Sequence, residues 1–121
     1  MDKRARIIDF HSHLLPAIDD GSKDVAMSLE ILHETRRQKV RKIVATPHFY
    51  PEEMSLSRFL EKRERAVEEV LSVLDSSTCP RVFLGAETGY FRGIGDSDEI
   101  SQLTIVGTNT ILVEMPFRPW S

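Results

Sequence analysis

The sequence has few of the features that mark specialised classes of protein. Cys79 is its only cysteine, so an internal disulfide is impossible, and we expect a reducing, cytoplasmic setting. The 16 basic and 19 acidic residues leave a formal charge of −3, which gives no electrostatic footprint for nucleic acid. The sequence also lacks an apolar run long enough for a membrane span or a signal peptide. The 121 residues are enough for one small domain with its own core.

Two devices for handling phosphate are absent as well. The sequence has no glycine-rich loop of the Walker type, and Cys79 does not begin a Cys-x5-Arg loop. No partner histidine can be identified for Cys79, so we do not expect it to act as a nucleophile.

The most informative segment lies near the start of the chain, where one residue separates His11 from His13. In an extended strand, residues two apart point to the same face, so both imidazoles and the carboxylate of Asp9 would project together. Two more carboxylates, Asp19 and Asp20, follow in a turn. Imidazole with carboxylate is the ligand set that suits zinc, manganese or iron.

Short apolar strands alternate with amphipathic helices along the chain. Strands are predicted over 5–13, 42–46, 81–87 and 110–115. The first strand is expected to pack its apolar side chains, Ile7, Ile8 and Phe10. The first helix is expected to begin near Ser22, and the second to be capped by Ser55 or Ser57. A mobile segment over 90–98 and a helical turn over 99–103 are also expected. The order predicts an α/β fold of about four parallel strands with flanking helices.

Each predicted strand ends in side chains that can bind a metal. Five such residues come from the four strands: His11, His13, His48, Glu87 and Glu114. In parallel α/β folds the active site lies at the carboxyl ends of the strands, so these side chains are expected to converge. Asp20 belongs to the same rim. An unpaired carboxylate at the end of an apolar strand is costly, and a metal ion would remove that cost.

Several of these residues have a purely structural alternative. Asp19 or Asp20 could be only a turn former, although Asp20 is favoured as a ligand. Asp9 could accept a hydrogen bond from a ligating imidazole, or could simply cap the strand. His48 could be a structural loop histidine, but its position favours a ligand. Two further residues are interpreted as surface residues, His33 and Arg118.

A cluster of histidines and carboxylates can hold two or more metal ions. Bound metal lowers the pKa of water towards neutrality and neutralises the negative oxygens of a phosphate. No covalent nucleophile is then required. Because the two phosphate loops are absent, the residues favour metal-assisted hydrolysis as the reaction class.

Four motifs also resemble those of a known family. IDFHSHLLPAIDDG (8–21) resembles the opening of the polymerase-and-histidinol-phosphatase (PHP) superfamily, and more narrowly that of the bacterial PHP-type protein-tyrosine phosphatases of capsule and exopolysaccharide clusters. IVATPH (43–48) is similar to the family's second strand and its histidine. GAE (85–87) and ILVEMP (111–116) resemble its two later glutamate motifs.

The resemblance implies a fold and a metal centre. The fold would be the N-terminal part of a distorted (β/α)7 barrel. The centre would be trinuclear and usually filled with manganese, with zinc, iron and magnesium as other divalent candidates. The implied ligands are His11 and His13 with bridging Glu87 for the first metal, Glu87 and Glu114 for the second, and Asp20 with His48 for the third.

The activity implied by the resemblance is hydrolysis of phosphotyrosine on proteins, typically on the bacterial tyrosine kinase that controls polysaccharide polymerisation. Histidinol-phosphate phosphatase is the alternative within the superfamily, and a non-catalytic metal-binding or dimerisation module is the alternative outside it. Because the family's barrel supplies further ligands from later strands, we expect a truncated chain. Assembly with a second copy or with a complementing chain would be another way to complete the site.

Overall fold

Parallel pairing joins all the strands in the part of the chain that the computed structural model describes, which is residues 7–90, 101–105, 107–108 and 110–114. The elements in chain order are β1 (Ile7–Asp9), α1 (Val25–Arg37), β2 (Val40–Ala45), β3 (His48–Phe49), α2 (Leu56–Leu71), β4 (Arg81–Leu84), β5 (Glu87–Gly89) and β6 (Leu112–Glu114). The strands form two three-stranded sheets, in the orders β1-β2-β4 and β3-β5-β6. The predicted α/β class with parallel strands and flanking helices is therefore confirmed.

Two short interruptions separate one sheet from the other. Thr46 and Pro47 lie between β2 and β3, and Gly85 and Ala86 lie between β4 and β5. Backbone hydrogen bonds bridge both gaps, because the Gly85 amide donates to the Ala45 carbonyl and the Glu87 amide donates to the Pro47 carbonyl, each at 2.9 Å. Since Pro47 has no amide to donate, the regular ladder breaks there, while the chain keeps its direction. The second sheet thus continues the first towards the carboxyl ends of β2 and β4.

The core consists of two apolar clusters, and α2 contributes to both. The larger cluster lies between the helices and the first sheet, and its buried members are Leu14, Leu15, Leu32, Ile43, Ala45, Ala66, Val67, Val70 and Cys79. The smaller cluster lies beside the second sheet, and its buried members are Phe49, Leu56, Phe59, Ala86 and Leu103. Because residues on successive turns of α2 reach both clusters, this helix ties the two sheets together.

The helix caps differ in part from the prediction. Ser55 caps α2 as predicted, but Asp24 rather than Ser22 caps α1, where its carboxylate accepts a hydrogen bond from the Met27 amide at 2.8 Å. Ser22 is buried, and its hydroxyl lies 2.7 Å from that of Ser28. The prediction for α1 was therefore wrong by two residues, because a buried contact occupies the first candidate cap.

The first strand is shorter than predicted and poorly covered. It ends at Asp9 rather than at residue 13, so His11 and His13 follow the strand instead of ending it. Ile8 and Phe10 are 36% and 55% exposed, so the prediction that they pack in the core is wrong. The reason is that β1 lies at a sheet edge, with β2 as its only strand neighbour among the described residues. The packing predicted for Ile7 lies outside the described side chains.

The remaining predicted elements are partly described. The strand predicted over 42–46 begins earlier, at Val40, and the one predicted over 81–87 is divided at Gly85 and Ala86. The mobile segment predicted over 90–98 lies almost wholly outside the described residues, as does the start of the helical turn predicted over 99–103, of which residues 101–102 form a short 3₁₀ turn. Neither described helix combines the length and the apolar character needed to cross a bilayer.

Candidate metal centre

The candidate ligands meet where the strands of the second sheet begin and end. His48 begins β3 and pairs with Glu87, the first residue of β5, while Glu114 ends β6 opposite Gly89. The segment that holds His11 and His13 lies against the end of β2, because the Thr46 amide donates to the Ser12 carbonyl at 2.8 Å. The structure therefore brings together all five side chains that the sequence places at strand ends.

The carboxylate of Glu87 is the centre of this cluster. Its Oε1 lies 3.1 Å from His11 Nε2, 3.0 Å from His13 Nε2 and 3.4 Å from His48 Nδ1. The two Nε2 atoms lie 3.1 Å from each other. Three donor atoms from two distant parts of the chain thus form a nearly equilateral triangle.

The chemistry of this triangle fits a cation. His13 Nδ1 lies 3.0 Å from Asp19 Oδ2, and this contact favours the neutral tautomer with its proton on Nδ1, in which Nε2 is an acceptor. His13 Nε2 and Glu87 Oε1 are then two acceptors that face each other, and a positive ion between them relieves their repulsion. Neighbouring ligands of an octahedral ion with bonds near 2.1 Å lie about 3.0 Å apart, which matches the observed triangle.

Two further groups of donors share residues with the first. One consists of His13, Asp19 and His48, and the other of His48, Glu87 and Glu114; within each group the donor atoms lie within 4.8 Å of one another. His13, His48 and Glu87 each belong to two groups. Such sharing is the arrangement needed to hold several metal ions side by side.

The two neighbouring aspartates contribute differently. Asp19 Oδ2 accepts hydrogen bonds from His13 Nδ1 and, at 3.1 Å, from the His48 amide, and its side chain is only 6% exposed. Asp20 is 87% exposed, with its Oδ1 3.6 Å from His48 Nε2. Asp20 thus lies on the open side of the cluster, as predicted for the rim. Sequence reasoning missed Asp19 as the residue that orients His13.

A local signal for the role of Asp19 exists in the turn. The Gly21 amide donates to Asp19 Oδ1 at 2.9 Å, which is the side-chain turn that aspartate favours two residues before a glycine. A Cβ atom on Gly21 would lie 2.3 Å from the His13 carbonyl oxygen, so this position requires glycine. The turn therefore holds Asp19 against His13.

Tyr50 is a second residue that sequence reasoning missed. Its hydroxyl donates to Glu114 Oε2 at 2.5 Å and lies 3.1 Å from His48 Nδ1. Burial, followed by the hydrogen bond to Glu114 and its charge, raises the pKa of Tyr50, so the hydroxyl stays protonated as a donor. The available signal was its spacing, because Tyr50 lies two residues after His48 and would share its face in an extended segment.

The other singled-out residues lie outside the cluster of donor atoms. Asp9 accepts a hydrogen bond from the His11 backbone amide at 3.0 Å, which is a local capping contact and not a contact with an imidazole. His33 is exposed on α1, as predicted, and Cys79 is buried in the larger core cluster. Arg118 lies outside the described residues.

A cleft of about 310 Å³ opens beside the donors. His48, Asp19 and Asp20 line it together with Tyr50 and Glu53, and its apolar lining consists of Ile18, Phe49, Met54 and Phe59. The cleft therefore connects the donor cluster to the smaller apolar cluster.

The curated proteins that this chain resembles include two that are named tyrosine-protein phosphatases. Tyrosine-protein phosphatase YwqE of Bacillus subtilis is 32% identical over 117 residues, which cover 92% of this chain and 44% of YwqE. Tyrosine-protein phosphatase CpsB of Streptococcus pneumoniae is 43% identical over 68 residues, covering 51% of this chain and 28% of CpsB. This chain thus spans less than half the length of these curated relatives.

A solved structure agrees in fold. A chain from the crystal structures of YwqE and CpsB, described as unique metal-dependent tyrosine phosphatases, matches with a TM-score of 0.64 and 28% identity. The match covers 92% of this chain and 45% of that chain. The family model for capsular polysaccharide synthesis, CpsB/CapC, matches residues 7–120. Since that match takes in the whole donor cluster, the predicted family is confirmed, and the chain belongs to the CpsB/CapC family.

Proposed function

We propose that this protein hydrolyses phosphotyrosine on proteins in a metal-dependent reaction that helps to control capsular or exopolysaccharide synthesis. The observation that carries the proposal is the set of three adjacent donor groups, in which His13, His48 and Glu87 each belong to two groups. The names of YwqE and CpsB as tyrosine-protein phosphatases support the choice of substrate.

The proposed metal ligands follow from the donor groups. His11, His13 and Glu87 would hold one ion, and His48, Glu87 and Glu114 a second. His48 and Asp20, whose Oδ1 lies 3.6 Å from His48 Nε2, would hold a third ion next to the donor group of His13, Asp19 and His48. A mixed imidazole and carboxylate set accepts several divalent metals, and manganese is proposed among them because the resemblance to the PHP-type phosphatases implies it. When bound, such ions lower the pKa of water and neutralise phosphate oxygens.

The chain's own residues orient these ligands. Asp19 fixes the His13 ring through Nδ1, and the Tyr50 hydroxyl fixes the Glu114 carboxylate. Hydrogen bonds of this kind keep each donor atom aimed at the centre of its group, which lowers the entropy lost when a metal binds. Cys79 is buried in the core and takes no part.

We also propose the setting in which the site works. The parallel strands with donors at their carboxyl ends would be the first part of a distorted (β/α)7 PHP barrel, with residues 1–121 as a partial PHP domain. The proposed partner is a phosphorylated bacterial tyrosine kinase, met in the cytoplasm, where a free thiol such as that of Cys79 is stable. A second copy or a complementing chain would complete the barrel.

The proposal is tested with two substrates. The purified protein is loaded with manganese and given a phosphotyrosine peptide or histidinol phosphate at equal enzyme concentration, and phosphate release is measured. We expect faster release from the phosphotyrosine peptide, and loss of that release in Glu87→Gln. Faster release from histidinol phosphate would favour the other PHP activity, and no release from either would favour a non-catalytic metal-binding module.

A further inference from the structure

We propose, as a deepening of the phosphatase function above, that the cleft beside His48 is the binding site for the aromatic ring of the phosphotyrosine substrate. Its apolar lining comes from Ile18 in the loop after β1, from Phe49 in β3, and from Met54 and Phe59 near the start of α2. The cleft and the donor cluster share His48 and Asp19, and Asp20, which also lines the cleft, lies 3.6 Å from His48 Nε2. A phosphoryl group held by metal ions at the donor groups would therefore have its ester substituent beside the cleft.

The walls of the cleft are suited to a flat apolar ring. Phe49 and Phe59 pack with their centroids 4.9 Å apart and are almost completely buried, so they form a fixed base. Ile18 and Met54 are partly exposed, and their side chains can cover a ring that enters. An aromatic ring that leaves water for such a surface gains free energy from its buried apolar area.

Tyr50 gives the cleft a rigid side. Its ring stacks on that of His48 with an angle of 14° between the planes and 5.5 Å between centroids. On Gly89, an added Cβ atom would lie 2.6 Å from Tyr50 Cδ1, so the ring is seated directly against the backbone of β5. The hydrogen bond to Glu114 holds its other end. A ligand ring would thus meet a surface that is already in place, which lowers the cost of binding.

The charges around the cleft decide which end of the substrate it takes. Its charged side chains among the described residues are Asp19, Asp20 and Glu53, and neither lysine nor arginine is among them. A phosphate dianion in the apolar part would be repelled by these carboxylates. The uncharged ring therefore occupies the cleft, and the phosphoryl end lies at the cation-binding groups.

The volume sets the size of the group that fits. About 310 Å³ is at the lower end of the range of roughly 300–1,000 Å³ found for small-molecule pockets. Such a cleft accommodates one ring with its first side-chain carbon, whereas the peptide backbone of the substrate would stay outside. Selectivity would come from the ring, because a serine or threonine phosphate would leave the apolar surface uncovered.

The test compares two non-hydrolysable probes, phenylphosphonate and methylphosphonate, by isothermal titration of the manganese-loaded protein. We expect phenylphosphonate to bind about tenfold more tightly, since burying part of a ring contributes more than 1 kcal/mol. Met54→Ala should narrow this ratio several-fold, while its metal content stays that of the unmodified protein. Met27→Ala, which truncates the same type of side chain on exposed α1, is the matched control and should keep the ratio.

Other outcomes separate the cleft from the function. A ratio near one, no binding of either probe, or an unchanged ratio in Met54→Ala would overturn the assignment of the cleft. If circular dichroism shows that Met54→Ala is unfolded, Ile18→Ala replaces it with the same expectations. A protein that prefers phenylphosphonate but releases no phosphate from a phosphotyrosine peptide would retain the ring site and lose the proposed function. A protein that releases phosphate from a phosphotyrosine peptide but shows no preference between the two probes would retain the proposed function and lose the ring site.

Discussion

At the scale of the residue, the strongest evidence for a metal is a pair of acceptors that face each other. His13 Nε2 and Glu87 Oε1 lie 3.0 Å apart, and the contact of His13 Nδ1 with Asp19 favours the neutral tautomer in which Nε2 is an acceptor. The sequence was sufficient to predict that both side chains lie at this point, because each follows an apolar strand; their role as metal ligands stays a prediction. It was not sufficient to predict Asp19 as the orienting group, because that role depends on how the loop after β1 turns back.

Tyr50 provides a test at the same scale. Tyr50→Phe keeps the ring against His48 but removes the hydroxyl that donates to Glu114 Oε2. We expect manganese affinity to fall about tenfold, because a hydrogen bond that orients a metal ligand typically contributes that much to metal binding. The measurement is a titration with manganese in which the paramagnetic resonance signal of the free ion is monitored.

The fold of the variant must be checked in the same experiment. A circular dichroism spectrum that matches the unmodified protein shows that only the hydroxyl has been lost. Unchanged manganese affinity in such a folded variant would mean that Tyr50 does not position Glu114.

At the scale of the element, the breaks in two strands build the site. Thr46 and Pro47 separate β2 from β3, and Gly85 and Ala86 separate β4 from β5. His48 and Glu87 therefore begin new short strands and pair with each other. Alternation of apolar strands and helices in the sequence predicted the parallel order correctly. It could not predict the interruptions, because the hydrogen bonds across them, such as that from Glu87 to Pro47, join residues far apart in the chain.

The cap of α1 tests the stability of one element. Asp24→Ala removes the carboxylate that accepts from the Met27 amide, and we expect a loss of about 1 kcal/mol in the free energy of unfolding. Urea denaturation followed by circular dichroism measures this loss. Asp24→Ser should recover most of it, because serine is also a good cap.

Two outcomes would contradict this account of the cap. The first is a stability of Asp24→Ala equal to that of the unmodified protein. The second is an equal loss in Lys23→Ala, which changes the exposed neighbouring side chain and leaves the cap intact.

At the scale of the whole molecule, the chain spans less than half the length of its curated relatives. Ile8 and Phe10 show what the sequence pattern could not reveal. Their apolar character predicted burial, but burial also requires an element that covers β1, and the described part of the chain supplies none over these side chains. Whether the strands belong to a larger barrel therefore stays a prediction.

The metal content of the protein tests the central claim most directly, which is that donors from several strands form one centre for more than one ion. The protein is saturated with manganese, dialysed, and analysed for metal per chain by mass spectrometry. We expect more than one ion per chain, and loss of most of this metal when His11→Ala is combined with His13→Ala. His33→Ala, which changes an exposed histidine on α1, should keep the full content. A double variant that is folded and retains the metal content of the unmodified protein would contradict the account.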